Sequence, residues 1–261
     1  MCRLSYWQWT RHLEKVELIQ EMDKRLHISP SLIDEALTTP NIDWVGSLVH
    51  RRLIIEGTFD FEHEMVLRNR RHLNQPGVMI LTPLKIKNTN SRILVNRGFI
   101  PLKYANRETR SQFQKQASLQ FVGLIKETNP KRFLAPSDPP SGGKNRWVDE
   151  WLRVDLNNIQ KQLPYPLLPV YAEIMPSADI EKIEADILST ENGKNEILSL
   201  VSRSATASRD SNADLMTPES LPIALNDLII PPGRHLGYVF EWLILALLTS
   251  FLALIIQLRK A

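Results

Sequence analysis

The spacing of hydrophobic residues near the start of the chain predicts a helix. Trp9, Leu13 and Val16 recur every three to four residues, and charged residues occupy the positions between them. This period matches one face of an α-helix. We therefore predict an N-terminal helix within residues 1–28.

From Val45 onward the pattern changes to that of β-strands. Residues 78–86 and 92–100 are rich in apolar and β-branched residues, and the segment between them, residues 87–91, has the composition of a turn. The two runs predict a β-hairpin. Further strands are predicted at residues 53–61, 119–126, 151–156 and 167–175. A β-rich domain is therefore expected over residues 44–230.

One part of this domain departs from the strand pattern. Residues 177–220 are rich in Ser, Asp, Glu, Asn and Ala and show no alternation of apolar and polar positions. Such a composition offers little apolar surface to bury. We interpret the segment as a polar insertion at the surface of the domain.

The last hydrophobic run, residues 236–258, contains 23 residues and one charge, Glu241. At about 1.5 Å per residue, a helix of this length covers a bilayer core of about 30 Å. It predicts a transmembrane helix. Arg259 and Lys260 follow it, so the positive-inside rule places this end in the cytoplasm or the mitochondrial matrix. The expected fold class is a mainly β (α+β) extramembrane domain with an N-terminal helix and a C-terminal transmembrane helix.

Composition and motifs exclude several classes of function. The net charge is +3, with 32 basic and 29 acidic residues, a balance too even to predict nucleic-acid binding. Cys2 is the single cysteine, which excludes an internal disulfide and a thiolate metal site. The sequence has no His-Glu-x-x-His zinc motif, no glycine-rich phosphate loop and no nucleophile elbow. We expect no catalytic residues and therefore not an enzyme.

Two histidines stand in patterns that bear on chemistry. His235 lies at the mouth of the predicted span, and Tyr238 and Trp242 follow it on the same helical face. One interpretation is anchoring at the interface, with the imidazole bonded to water or headgroups. The other is a ligand for metal or heme iron beside an aromatic wall for a porphyrin. Glu62-His63-Glu64 is either a metal cluster or, as we favour, the solvated end of a strand.

The order of motifs along the chain resembles the Surfeit locus protein 1 family, whose members assist assembly of heme–copper cytochrome c oxidase. The resemblance rests on Gly57 and Phe59, on the block Val95-Asn96-Arg97-Gly98-Phe99-Ile100-Pro101, and on His235-Leu236 with Tyr238 and Trp242. It covers nearly the whole chain except residues 177–220. Gly233-Arg234 stand where the family has paired asparagines, and the family's first span is missing, so we expect a span before Met1.

The resemblance implies a function and a set of site residues. It implies that the protein assists the delivery or insertion of heme a into the oxidase catalytic subunit. His235 is implied as the ligand of the heme iron, and Tyr238 and Trp242 as the lining of the heme site. For Asn96 and Arg97, contact with a partner and a purely structural role both stay open. The alternative function is a scaffold that stabilises an oxidase assembly intermediate without binding heme.

The implied partners are the oxidase catalytic subunit, the machinery that synthesises heme a, and the membrane. The implied location is the bacterial inner membrane with the main domain in the periplasm, and the alternative is the mitochondrial inner membrane.

Overall fold

The computed structural model describes residues 2–38, 44–114, 118–128, 134–142, 147–191, 221–225 and 233–258. The chain divides into two compact units. The described part of the first holds the N-terminal helix up to Lys24 and the last helix of the chain. The described part of the second runs from Arg25 to Glu191 and resumes at residues 221–225.

The second unit contains one eight-stranded sheet with parallel and antiparallel pairs. Its strands are β1 (Ser31–Leu32), β2 (Arg52–Phe59), β3 (Met65–His72), β4 (Gln75–Ile86), β5 (Arg92–Pro101), β6 (Ser118–Glu127), β7 (Glu150–Trp151) and β8 (Val170–Ile174). They lie in the order β1-β2-β6-β8-β5-β4-β3-β7. The predicted hairpin is confirmed, because β4 and β5 pair antiparallel from Gly77↔Pro101 to Lys85↔Arg92.

Strand β2 also pairs with β4, which closes β2, β6, β8, β5 and β4 into a ring of hydrogen-bonded strands. Gly57 makes this closure possible. A Cβ atom on Gly57 would lie 2.2 Å from the Lys85 carbonyl oxygen and 2.4 Å from Leu84 Cδ2. A side chain of any size would therefore push β2 away from β4.

The hydrophobic core lies on both sides of the sheet. One cluster joins β2 to β5, β6 and β8 and contains fully buried Leu53, Ile55, Leu84, Ile93 and Ile125. A second cluster gathers around Trp151, whose indole Nε1 donates to the Val148 carbonyl oxygen at 3.1 Å. The packing explains why β7 is held in the sheet although it is two residues long.

The helices are α1 (Cys2–Leu26), α2 (Ile33–Thr38), α3 (Trp44–Leu48), α4 (Arg107–Arg110), α5 (Leu156–Ile159), α6 (Ser177–Glu191) and α7 (Gly233–Leu258). The N-terminal helix exists as expected. The expected fold class, a mainly β (α+β) extramembrane domain with a C-terminal transmembrane helix, is wrong, because helices contain more of the described residues than strands do and no described helix is suited to cross a membrane. Part of the difference is α6, which begins the segment interpreted as a polar insertion and buries Ile183. Residues 192–220 lie outside the described part of the chain.

A second difference concerns residues 151–156, which the hydrophobic pattern assigned to a strand. Only Trp151 belongs to β7, and Leu156 begins a helix. Asp155 caps that helix, because its Oδ1 accepts a hydrogen bond from the Asn158 backbone nitrogen at 3.2 Å. The cap, a local polar interaction, overrides the strand-like spacing of the apolar residues.

The predicted C-terminal transmembrane helix is also a wrong prediction. Residues 236–258 are helical as part of α7, but among the described residues no helix has both the length and the apolarity needed to cross a bilayer. Polar groups fall within α7, and each lowers the mean hydropathy of the stretch around it. Glu241 is exposed, and the hydroxyls of Thr249 and Ser250 donate to the Ala246 carbonyl oxygen at 2.9 and 2.8 Å.

Candidate functional site

The three residues predicted to form a heme site lie on the first three turns of α7. His235, Tyr238 and Trp242 are spaced i, i+3 and i+7, which places them on one helical face. Tyr238 is 42% exposed and Trp242 is half-buried. Gly237 lies between His235 and Tyr238, and a Cβ atom placed on it would meet no atom within 4 Å. A helix turns through about 200° over two residues, so this open space lies on the side of α7 away from His235.

This face fits a flat macrocycle with a metal at its centre. A neutral histidine is a common axial ligand of heme iron. Aromatic rings supply large apolar surfaces, and a phenol or an indole also offers a polar group at the edge of the ring. The residues present on α7 thus suit a heme.

Asn96 lies in β5 and is 2% exposed. Its Oδ1 accepts a hydrogen bond from the Gly98 backbone nitrogen at 3.1 Å, and its Nδ2 donates to Glu173 Oε1 at 3.3 Å. Gly98 has φ +123°, and a Cβ on it would lie 2.3 Å from the Ile223 carbonyl oxygen. Asn96 therefore holds the backbone of β5 where residue 223 pairs with Phe99.

Arg97 is also inside the protein, at 8% exposure. Its Nη1 donates to Glu64 Oε2 at 2.9 Å, and its Nη2 donates to the Phe113 carbonyl oxygen at 2.5 Å. Its guanidinium carbon lies 5.3 Å from the ring centre of Phe59 and 5.2 Å from that of Phe61, within reach of cation–π attraction. Burial lowers the pKa of Arg97, and the charge of Glu64 opposes this effect.

Glu64 is the centre of a buried charge network. Its carboxylate accepts hydrogen bonds from Arg97, from Arg110 Nε at 3.2 Å and from Gln114 Nε2 at 3.1 Å. Arg110 is fully buried and donates through Nη1 to Asp149 Oδ2 at 2.7 Å. Burial lowers the Arg110 pKa, but Asp149 and Glu64 outweigh burial and raise it. Buried Glu64 and half-buried Asp149 thus balance two buried guanidinium groups, whose charges would be costly without partners.

Sequence reasoning missed this network. Its members are far apart in the chain, at positions 64, 97, 110 and 149, and no local spacing connects them. The sequence pattern instead groups Glu64 with its neighbours Glu62 and His63. The structure separates them, because Glu64 turns towards the buried arginines while Glu62 is exposed.

His63 has a different set of partners. It ends a 3₁₀ turn, Phe61–His63, and its Nδ1 lies 2.7 Å from Asp60 Oδ2. The same carboxylate oxygen accepts a hydrogen bond from the Tyr165 hydroxyl. Burial raises the Asp60 pKa, but the hydrogen bonds from Tyr165 and His63 prevail and lower it. Burial and the bond to Asp60 raise the pKa of Tyr165 well above its usual range.

Comparison with known proteins places these features in a family. The model of the SURF1 family matches residues 1–247, which include the network, β5 and the start of α7. Among curated relatives, Surfeit locus protein 1 of Xenopus tropicalis is 30% identical over 159 residues, 55% of this chain and 50% of that protein. The SURF1-like protein of Monosiga brevicollis is 28% identical over 156 residues, 56% of this chain and 58% of that protein.

The chain also matches the SURF1-like protein of Caenorhabditis elegans over 200 residues with 24% identity. This match covers 68% of this chain and 59% of that protein. The chain therefore spans between half and three fifths of the length of these relatives. Because the family model covers all but the last 14 residues, this chain belongs to the SURF1 family.

Proposed function

We propose that this protein is an assembly factor, not an enzyme, that assists the delivery or insertion of heme a into the catalytic subunit of heme–copper cytochrome c oxidase. Membership of the SURF1 family is the observation that carries the proposal. The partly aromatic face at the start of α7 supports it, since a histidine with aromatic neighbours suits a heme.

In this proposal His235 binds the heme iron through the lone pair of its neutral imidazole. Tyr238 and Trp242 would line the heme site and shield it from water. The iron of heme a, when bound, supplies the Lewis-acidic centre that the imidazole recognises. Holding the heme through His235 alone would suit transient binding, because a receiving subunit would then have access to the rest of the group.

Direct contact of Asn96 and Arg97 with the catalytic subunit stays a prediction. Both side chains are buried and bonded within the domain. Their support of β5 is a route by which changes at these positions would alter a binding surface without touching the partner. Arg97→Lys tests the difference, because it retains the charge and loses the bidentate geometry of the guanidinium. If Arg97 contacts the catalytic subunit directly, less oxidase should co-purify with the Arg97→Lys variant while the Tm of that variant is unchanged.

The test of the proposed function is complementation in cells whose gene for this protein is deleted. Purified oxidase from the deletion strain should contain less heme a per catalytic subunit than oxidase from the parent strain. The wild-type gene should restore the ratio, and His235→Ala should not. His12→Ala, which removes a histidine from α1, is the matched control and should restore it.

Two other results would contradict heme delivery. An unchanged ratio of heme a to catalytic subunit, combined with a lower amount of the subunit, would favour a scaffold that does not bind heme. Full restoration by His235→Ala would exclude an essential role for the imidazole.

The proposed location, the bacterial inner membrane with the main domain in the periplasm, predicts that protease added to spheroplasts cleaves the domain.

A further inference from the structure

A second cluster of potential ligands surrounds His63, within the second unit and outside the α7 face. We call Asp60, Glu62 and His63 the His63 site. One ligand atom from each of these three side chains lies within 4.8 Å of the other two. All three residues belong to one 3₁₀ turn or to the residue that precedes it, so the backbone fixes their spacing.

Two of the three side chains of the His63 site, those of Asp60 and His63, are held in place before any ligand binds. Tyr165 donates to Asp60 Oδ2, and His63 Nδ1 lies 2.7 Å from the same oxygen. The Tyr165 ring in turn lies under Arg92, whose guanidinium carbon is 4.2 Å from the ring centre. A hydrogen bond from a neighbour to a coordinating carboxylate is the arrangement that orients ligands in protein metal sites.

An independent observation comes from Trp147. Its indole Nε1 is buried and has no hydrogen-bond partner among the described residues. The Trp147 ring centre lies 5.6 Å from that of His63. Both residues line a cleft of about 340 Å³, together with Gly142, Lys161, Gln162, Leu163 and Pro164. A buried donor without an acceptor costs about 1–3 kcal/mol, and a ligand oxygen in the cleft would remove that cost.

Ligand type narrows the choice of ion. One imidazole nitrogen and two carboxylate oxygens suit a divalent transition metal better than Ca²⁺ or Mg²⁺, which prefer oxygen ligands. Zinc sites with three protein ligands keep a coordination position for water or a substrate group. An oxygen in that position is the acceptor that the Trp147 indole lacks.

We propose that Asp60, Glu62 and His63 bind a divalent transition metal ion of the zinc class, with Tyr165 as a positioning residue for Asp60. The oxygen bound to the open position of the metal accepts a hydrogen bond from Trp147. The site is independent of the proposed heme function, since none of its residues lies on α7. Glu62 is the exposed member of the site.

The test uses the full chain, freed of metal by chelation, and titrates Zn²⁺ by calorimetry and Co²⁺ by its visible absorption. We expect one ion per chain. Glu62→Gln and His63→Gln should each weaken binding at least tenfold, and Tyr165→Phe should weaken it about 10–100-fold through the outer shell. Glu108→Gln and His12→Gln remove the same groups elsewhere, from exposed Glu108 and from α1, and should leave affinity unchanged.

Glu62→Gln stays informative even if other variants fail to fold, because Glu62 is exposed and its substitution leaves the hydrophobic core unchanged. Tm values of the metal-free variants identify any that are unfolded, and those are set aside in favour of Glu62→Gln. A wild-type chain that binds neither ion at micromolar concentration would overturn the proposal. So would Zn²⁺ binding that is equally tight in Glu62→Gln and His63→Gln.

Discussion

Arg97 donates to Glu64 at 2.9 Å in the interior of the protein, where the Glu64 side chain is 1% exposed. The pair joins β5 to the residue before β3, and Arg110 and Asp149 extend it to α4 and to the residue before β7. Charged groups in such a place stabilise a fold only while each has its partner.

Glu64→Ala should therefore be strongly destabilising. It leaves the two buried guanidinium groups with Asp149 alone, and breaking a buried pair in this way costs about 3–5 kcal/mol. Denaturant unfolding of the two proteins measures the difference.

The exposed pair between Lys87 and Glu56 supplies the control, since its lysine is 56% exposed. Glu56→Ala should change the free energy of unfolding by about 0–1 kcal/mol. Similar losses in the two variants would show that the buried network is not the stronger interaction.

Gly57 should not tolerate a methyl group. In Gly57→Ala the new Cβ would lie 2.2 Å from the backbone oxygen of Lys85, so β2 and β4 must separate. We expect a loss of about 1–3 kcal/mol, the usual cost of overpacking. The measurement is the midpoint of chemical denaturation.

Gly237→Ala is the matched substitution for Gly57→Ala. Residue 237 is helical and its Cβ would meet open space. Replacing glycine by alanine within a helix stabilises by about 0.5–1 kcal/mol, so this variant should unfold at the same or higher denaturant concentration. A stabilised Gly57→Ala would contradict the close approach of β2 and β4.

Acid should weaken the fold partly through His72. Burial lowers the pKa of His72 below its ordinary value of 6.5, and its ring lies 5.6 Å from that of Phe99. The unfolded chain therefore binds this proton at a higher pH than the folded chain does. The contribution of His72 to the free energy of unfolding is therefore fully present above pH 6.5 and is lost as the pH drops through the lowered pKa.

His72→Gln should reduce the loss of stability between pH 7 and pH 5, measured by thermal unfolding at each pH. His50, whose pKa is also lowered by burial, should continue to contribute in this variant. An acid-induced loss of the same size in wild type and His72→Gln would contradict the assignment.

The sequence could predict elements whose signals are local. The β4–β5 hairpin follows from two apolar runs and a polar turn between them, and α1 follows from its helical period. Strand β3 was not predicted, because its second half, from Arg68 to His72, is polar. This segment forms a strand because it pairs with β4, and the spacing of residues within β3 gives no sign of that pairing.

Among the site residues, those on one helix could be placed from the sequence, and those with partners distant in sequence could not. The face formed by His235, Tyr238 and Trp242 could be predicted, because one helix carries all three. The partners of Asn96 and Arg97 could not, since Glu173 and Glu64 are distant in sequence. Apolar residues in α7 predicted a membrane span, and the described helices do not support that prediction.

His235 is proposed to hold the iron of heme a. The most direct measurement is the visible absorption spectrum of the full-length protein purified in detergent from cells that make heme a. We predict a heme a spectrum in the wild type and in His12→Ala, and its loss in His235→Ala with the Tm unchanged. A heme a spectrum of equal intensity in His235→Ala, or none in the wild type, would contradict the claim.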